Sequence, residues 1–189
     1  MKPKHTSSRF DNLLFKIASD KIEKGLTKPS DFHHIMQGHR NKKSKDFYLK
    51  LKKMLIDSKE LLMPGKEKVW ADNMVNIMFS FASNKPTKFG VYVRYAKEEI
   101  DELLAHYEQD FCDSCQYLDA EGITRLAQVM YLLKSKSYEN IWWRIENRIH
   151  ELAEVKGALD PYNISTIFRS FSRSQENQMS GSDKLFYHL

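Results

Sequence analysis

The sequence predicts an all-α protein, an α-solenoid of about four helical hairpins behind one N-terminal helix. Three observations predict it. A short apolar block recurs four times, as Phe32-His-His-Ile35, Met74-Val-Asn-Ile77, Leu126-Ala-Gln-Val129 and Ile164-Ser-Thr-Ile167. A second block follows each, as Phe47-Tyr-Leu-Lys-Leu51, Phe89-Gly-Val-Tyr-Val93, Ile141-Trp-Trp-Arg-Ile145 and Leu185-Phe-Tyr-His-Leu189, and in the first three copies the two blocks begin 15 residues apart. A period of about 40 residues with fixed internal spacing marks a helical-hairpin repeat. The chain also holds only 7 Gly and 5 Pro in 189 residues, which suits long helices with short connections better than the many turns of a β-sandwich.

Residues 1–25 read as a basic segment followed by a helix from Phe10 to Lys24, with Phe10, Leu13, Leu14 and Ile17 on one face and Gly25 placed to end it. Residues 26–189 read as the repeats. Thr27 and Pro29 open the first helix of repeat one. Asp46 is placed to cap its second helix, whose stripe is Phe47, Leu51, Met54, Leu55 and Leu62. Pro64-Gly65 breaks the chain. Repeat two then carries Met74, Ile77, Met78 and Phe81 on one helix. Its other helix carries Phe89, Val93, Ala96, Ile100, Leu103 and Tyr107, spaced by alternate fours and threes, the cleanest amphipathic pattern in the chain.

Repeat three opens at Asp119, a favoured N-cap residue. Ile123, Leu126, Ala127, Met130 and Leu133 mark its first helix. Ile141, Trp142, Ile145, Ile149 and Leu152 mark its second, and Gly157 is placed to end it. Repeat four opens with Asp160-Pro161, an N-cap followed by proline at the first helical position. Its stripe is Ile164, Ile167, Phe168 and Phe171, followed by a polar loop from Ser172 to Ser182. Two registers relate repeats three and four. Leu126 matches Ile164 at an offset of 38, and Asp119 matches Asp160 at 41. The stripe of Leu185, Phe186 and Leu189 is expected to be covered by further chain or by a partner.

Net charge is +5, unevenly spread. Residues 1–68 hold 17 Lys/Arg against 8 Asp/Glu, and residues 69–189 hold 13 against 17. A basic partner surface is therefore expected in the N-terminal third. Its densest part gives the candidate contacts for RNA phosphate or another anionic partner: Arg40, Lys42, Lys43, Lys45, Lys50, Lys52 and Lys53. The same run also reads as a solvated charged face. Trp143 points about 100° away from the stripe residue Trp142, and with Leu185, Phe186 and Leu189 it forms the candidate protein interface.

No P-loop, Gly-rich nucleotide fingerprint, H-E-x-x-H or G-x-S-x-G is present, so no catalytic, cofactor-binding or metal residue is assigned. Cys112-Asp-Ser-Cys115 is a lone C-x-x-C, short of the four ligands of a zinc site, and is read as small residues in a long loop between repeats two and three. His33, His34 and His39 read as solvated or partner-facing. No apolar run is long enough to span a bilayer, and no small-molecule substrate is expected. Two Cys suit a reducing compartment. The first ten residues are basic and contain Ser with no acid, a composition shared by organelle presequences and by ordinary basic N-termini.

Helices such as Ile77-Met-Phe-Ser-Phe81-Ala-Ser, paired with ones such as Ile141-Trp-Trp-Arg-Ile145-Glu-Asn-Arg-Ile149 at about 40-residue spacing, resemble the degenerate helical-repeat proteins of organelles. These are the octotricopeptide and heptatricopeptide families, and the likeness spans roughly residues 26–189. The step of 52 residues from Met74 to Leu126 departs from their regular period. The resemblance implies an organellar address, on the matrix side of a mitochondrion, and binding to RNA or a ribonucleoprotein. The resulting expectation is a non-catalytic subunit of a large mitochondrial assembly, the mitochondrial ribosome or another RNA-containing complex, with protein subunits as partners. The alternative is a supernumerary subunit of a respiratory-chain complex or ATP synthase without RNA contact.

Overall fold

The computed structural model describes residues 6–24, 45–62, 68–84, 90–133 and 138–172. Among them every regular element is a helix and no strand occurs, so the chain is all-α. In chain order these are α1 (Thr6–Glu23), α2 (Lys45–Asp57), α3 (Lys59–Leu62), α4 (Lys68–Asn84), α5 (Gly90–Ser114), a 3-10 turn (Cys115–Tyr117), α6 (Ala120–Leu132), α7 (Glu139–Ala153) and α8 (Pro161–Ser172). The first helix expected for repeat one, with His33, His34 and His39, and the second expected for repeat four lie outside the described residues.

Helices α4, α6 and α8 pack in that sequence, α4 on α6 and α6 on α8. The ties between α4 and α6 set their direction. Lys68 meets Asp119 at 3.0 Å and, further along both helices, Arg125 meets Asn76, so the two run parallel. Helix α7 runs back against α6, since Arg148, late in α7, donates to the Leu118 carbonyl just before α6. Trp142, early in α7, meets Phe171, late in α8, edge-to-face at 4.9 Å, so α8 turns back again. Helices α1, α2, α5 and α7 form the complementary set. Lys50 donates to Asn12 and Ser19 to the Met54 sulfur between α1 and α2. Lys52 meets Glu102, and Tyr107 donates to the Leu55 carbonyl, between α2 and α5. Tyr138 donates to the Asp101 carbonyl between α5 and α7. Each of these pairs also runs parallel.

Local signals place the helix starts. Asp119 accepts from Gly122 N at 3.0 Å, and Asp160 accepts from Asn163 N at 2.7 Å, so both act as N-caps. The two caps stand 41 residues apart, and burial follows the same offset. At an offset of 41, buried Leu126, Val129 and Met130 correspond to buried Ile167, Ser170 and Phe171. At 38, buried Leu126 would face half-buried Ile164. The step of 52 between the second and third copies also matches burial. Ala71, Met74, Val75, Ile77 and Met78 correspond to Ile123, Leu126, Ala127, Val129 and Met130, all buried. Gly157, at φ 79, lies in the turn after α7, where a residue with a Cβ would be strained.

Two expectations change. Cys112 and Cys115 are not in a loop, because α5 runs on to Ser114 and the 3-10 turn holds Cys115. Buried Phe111, Cys115 and Leu118 continue the stripe of α5 and keep it helical. Leu103, Leu104, Tyr107 and Phe111 are buried as Ile141, Trp142, Ile145 and Ile149 are, residue for residue (103 to 141). Phe89, the start of the block expected in repeat two, lies outside the described residues. Lastly, α1 does not bury its whole apolar face. Among the described residues its main partners are α2 and α3, and Leu13 and Ile17 are outward at 54% and 44% exposure.

Candidate interaction surfaces

The basic stretch divides among several environments. Arg40, Lys42 and Lys43 lie outside the described residues, and Lys45 is described only as the first residue of α2. Lys50 is exposed and donates to Asn12 Oδ1 of α1 at 2.8 Å. Lys53 is exposed. Lys52 is different, being 8% exposed with its ammonium 2.5 Å from Glu102 Oε2 on α5. It shares a face with Leu55, three residues on, so its stem packs among apolar side chains while its head reaches the carboxylate. That hydrogen bond, then the lysine charge, holds the Glu102 carboxyl below its ordinary range. Lys52 is committed within the fold. The i, i+3 relation to Leu55 was visible in the sequence; the partner 50 residues away was not.

Sequence reasoning missed the outward face of α1. Arg9, Leu13, Ile17 and Lys21 recur every four residues and are all exposed, with exposed Lys16 beside them. Lys24 pairs with Asp20 at 2.8 Å.

Trp143 is 56% exposed on α7, and its ring carries the Arg144 guanidinium 5.1 Å from its centroid. Trp142 is buried, as inter-repeat packing requires. Leu185, Phe186 and Leu189 lie outside the described residues. The C-x-x-C residues are free cysteines. Burial pushes the Cys115 thiol up to about 12 and raises that of Cys112 as well, so both are thiols, not thiolates, at neutral pH. Cys115 Sγ donates to the Phe111 carbonyl at 3.2 Å. Among the described residues no group of three or more His, Cys, Asp or Glu is placed to hold a metal ion. Among the same residues no helix is long and apolar enough to cross a membrane.

A further surface lies at one end of the helices. The starts of α4, α6 and α8 and the ends of α5 and α7 meet there, because neighbouring helices of each set run parallel and the two sets run opposite. Val69, Tyr117, Val155 and Tyr162 are exposed at this end by 71%, 39%, 60% and 67%. Around them stand exposed Glu121, Glu154 and Asp160, with Lys156 as an exposed cation. Asp72 sits among this negative charge. Burial first, then Asp119, raises its carboxyl above the ordinary value. Asp119 moves the other way, lowered chiefly by the hydrogen bond from Gly122 N.

Comparison with protein-family models, with curated proteins and with solved structures gives no match. The functional reading therefore rests on the surfaces above: a cationic face on α1 and α2, an exposed Trp143, and an acidic end bearing apolar side chains.

Proposed function

We propose that the chain is a non-catalytic helical-repeat subunit of a large mitochondrial assembly that contains RNA, with the mitochondrial ribosome as the leading case. The hairpins would form an α-solenoid. Support comes from the packing order, since each helix of a set meets its neighbour in the chain's own sequence and in the same direction. Such a stack acts by presenting surfaces, not by enclosing a reaction centre. The observation that carries the RNA reading is the exposure of Lys50 and Lys53 on α2, in the part of the chain with 17 Lys/Arg against 8 Asp/Glu. Cations of this kind neutralise phosphates without reading sequence.

The test is RNA binding as a function of salt. Replacing Lys42, Lys43, Lys45, Lys50 and Lys53 by Gln is expected to weaken binding and to flatten the plot of log K against log salt, by about 0.7 per lost contact on a single strand. Lys52 is left in place because it holds Glu102. An unchanged slope overturns the RNA reading.

The second reading is a supernumerary subunit of a respiratory-chain complex or ATP synthase. The acidic end with its exposed Tyr117 and Tyr162 favours it, since that composition suits a protein neighbour better than RNA. Co-purification with a membrane complex after nuclease treatment selects it.

A further inference from the structure

We propose that the acidic end of one copy of this chain receives the basic face of α1 from a second copy, in a head-to-tail contact. Two surfaces of the same molecule carry complementary features. The α1 face exposes Leu13 and Ile17 within a row of Arg9, Lys16 and Lys21. The acidic end exposes Val69, Tyr117, Val155 and Tyr162 among Glu121, Glu154 and Asp160. Each surface also holds internal pairs, Lys24 with Asp20 on α1, and Lys68 with Asp119 and Arg125 with Glu121 at the acidic end. Outside those pairs α1 presents Arg9, Lys16 and Lys21 against Glu23, and the acidic end presents Glu154 and Asp160 against Lys156.

Dimensions agree as well. Helix α1 has 18 residues, about 27 Å at 1.5 Å per residue. The three helix starts of α4, α6 and α8, at about 8–10 Å between axes, spread over roughly 20 Å. One α1 can therefore lie along the whole acidic end. A head-to-tail contact of this kind is heterologous and builds chains or rings of copies. Charge steers the encounter and weakens with salt, while the buried apolar residues hold the contact.

Sedimentation of the full chain over a range of concentrations tests this. The expected result is an oligomer series that grows with concentration and recedes at high salt. One variant carries Arg9→Glu, Lys16→Glu and Lys21→Glu. Another carries Glu154→Lys and Tyr162→Lys. All five positions are exposed, and unchanged circular dichroism confirms that each variant folds. Each alone is expected to lose self-association by about tenfold or more, the scale of an interface anchor. Mixed together, they are expected to give a one-to-one dimer and nothing larger, because each retains one intact surface. A wild-type chain that stays monomeric, association that neither variant weakens, or a mixture that restores no dimer overturns the proposal. So does a monomeric chain whose α1 face binds anionic vesicles instead.

Discussion

Gly122, in the first turn of α6, faces Leu118 and, on α4, Asp72. A Cβ added there would lie 2.8 Å from Leu118 Cδ2, 3.2 Å from Leu118 Cβ and 3.3 Å from Asp72 Oδ1. Leu118 is fully buried and has little room to yield. Alanine would gain up to about 1 kcal/mol of helix propensity, against overpacking of about 1–3 kcal/mol. Gly122→Ala is thus expected to destabilise by about 1 kcal/mol in urea unfolding. The neighbouring carboxylates respond to pH in opposite senses. Asp119 has a folded pKa below its ordinary 3.8, so its contribution is present at neutral pH and is lost as pH falls below that value. Asp119→Ala, which also removes the cap, is expected to cost about 1 kcal/mol at pH 7. Asp72 has a folded pKa above 3.8, so its charge costs stability at neutral pH and the cost disappears as the group protonates. Asp72→Asn is expected to raise the melting temperature at pH 7, and the gain is expected to vanish below pH 3.8. A melting temperature that falls instead would mean the carboxylate has a partner worth keeping.

At the scale of elements, α5 is the informative helix. Its stripe repeats by alternate fours and threes, and seven residues at 100° each return within about 20° of the start. A sequence with that spacing looks the same after a shift of seven or fourteen, so apolar pattern alone could not choose between Phe89 and Leu103 as the packing block. Caps carry no such ambiguity, because Asp119 and Asp160 act within three residues of themselves; those starts were legible. Helix α5, with 25 residues against 15 in α7, is about 15 Å longer. Deleting seven residues, 91–97, is expected to leave the fold intact, whereas deleting three, 95–97, rotates the incoming strand of helix by roughly 60° relative to the buried half. Circular dichroism melts of the two deletions check this, and equal losses would argue against the assigned register. Within the buried half, Tyr107 donates to the Leu55 carbonyl at 2.7 Å with its ring fully buried. Tyr107→Phe is expected to cost about 1 kcal/mol, the worth of that hydrogen bond, measured by chemical denaturation.

For the whole molecule, stability is expected to be graded. Helix α6 touches α4, α7 and α8, and its buried residues run from Gly122 to Met130. Among the described residues helix α1 has its main contacts with α2 and α3 alone, both slight beside those of α6. Amide exchange is expected to be slowest in α6 and fastest in α1, and the reverse order would show that α1 belongs to the cooperative core. The bulk charge split, legible from residue counts, survives as separate cationic and acidic surfaces. The fate of Lys52 was not legible, since pairing across helices depends on which helices become neighbours. The side-chain ties between helices named above join residues from 29 to 52 apart in the chain, with none of these reaching from one end to the other. A polypeptide wired this way does not wait for its last residue before it begins to fold. Each helix can settle on those before it as it emerges from a narrow exit, so the order of synthesis is also an order of assembly.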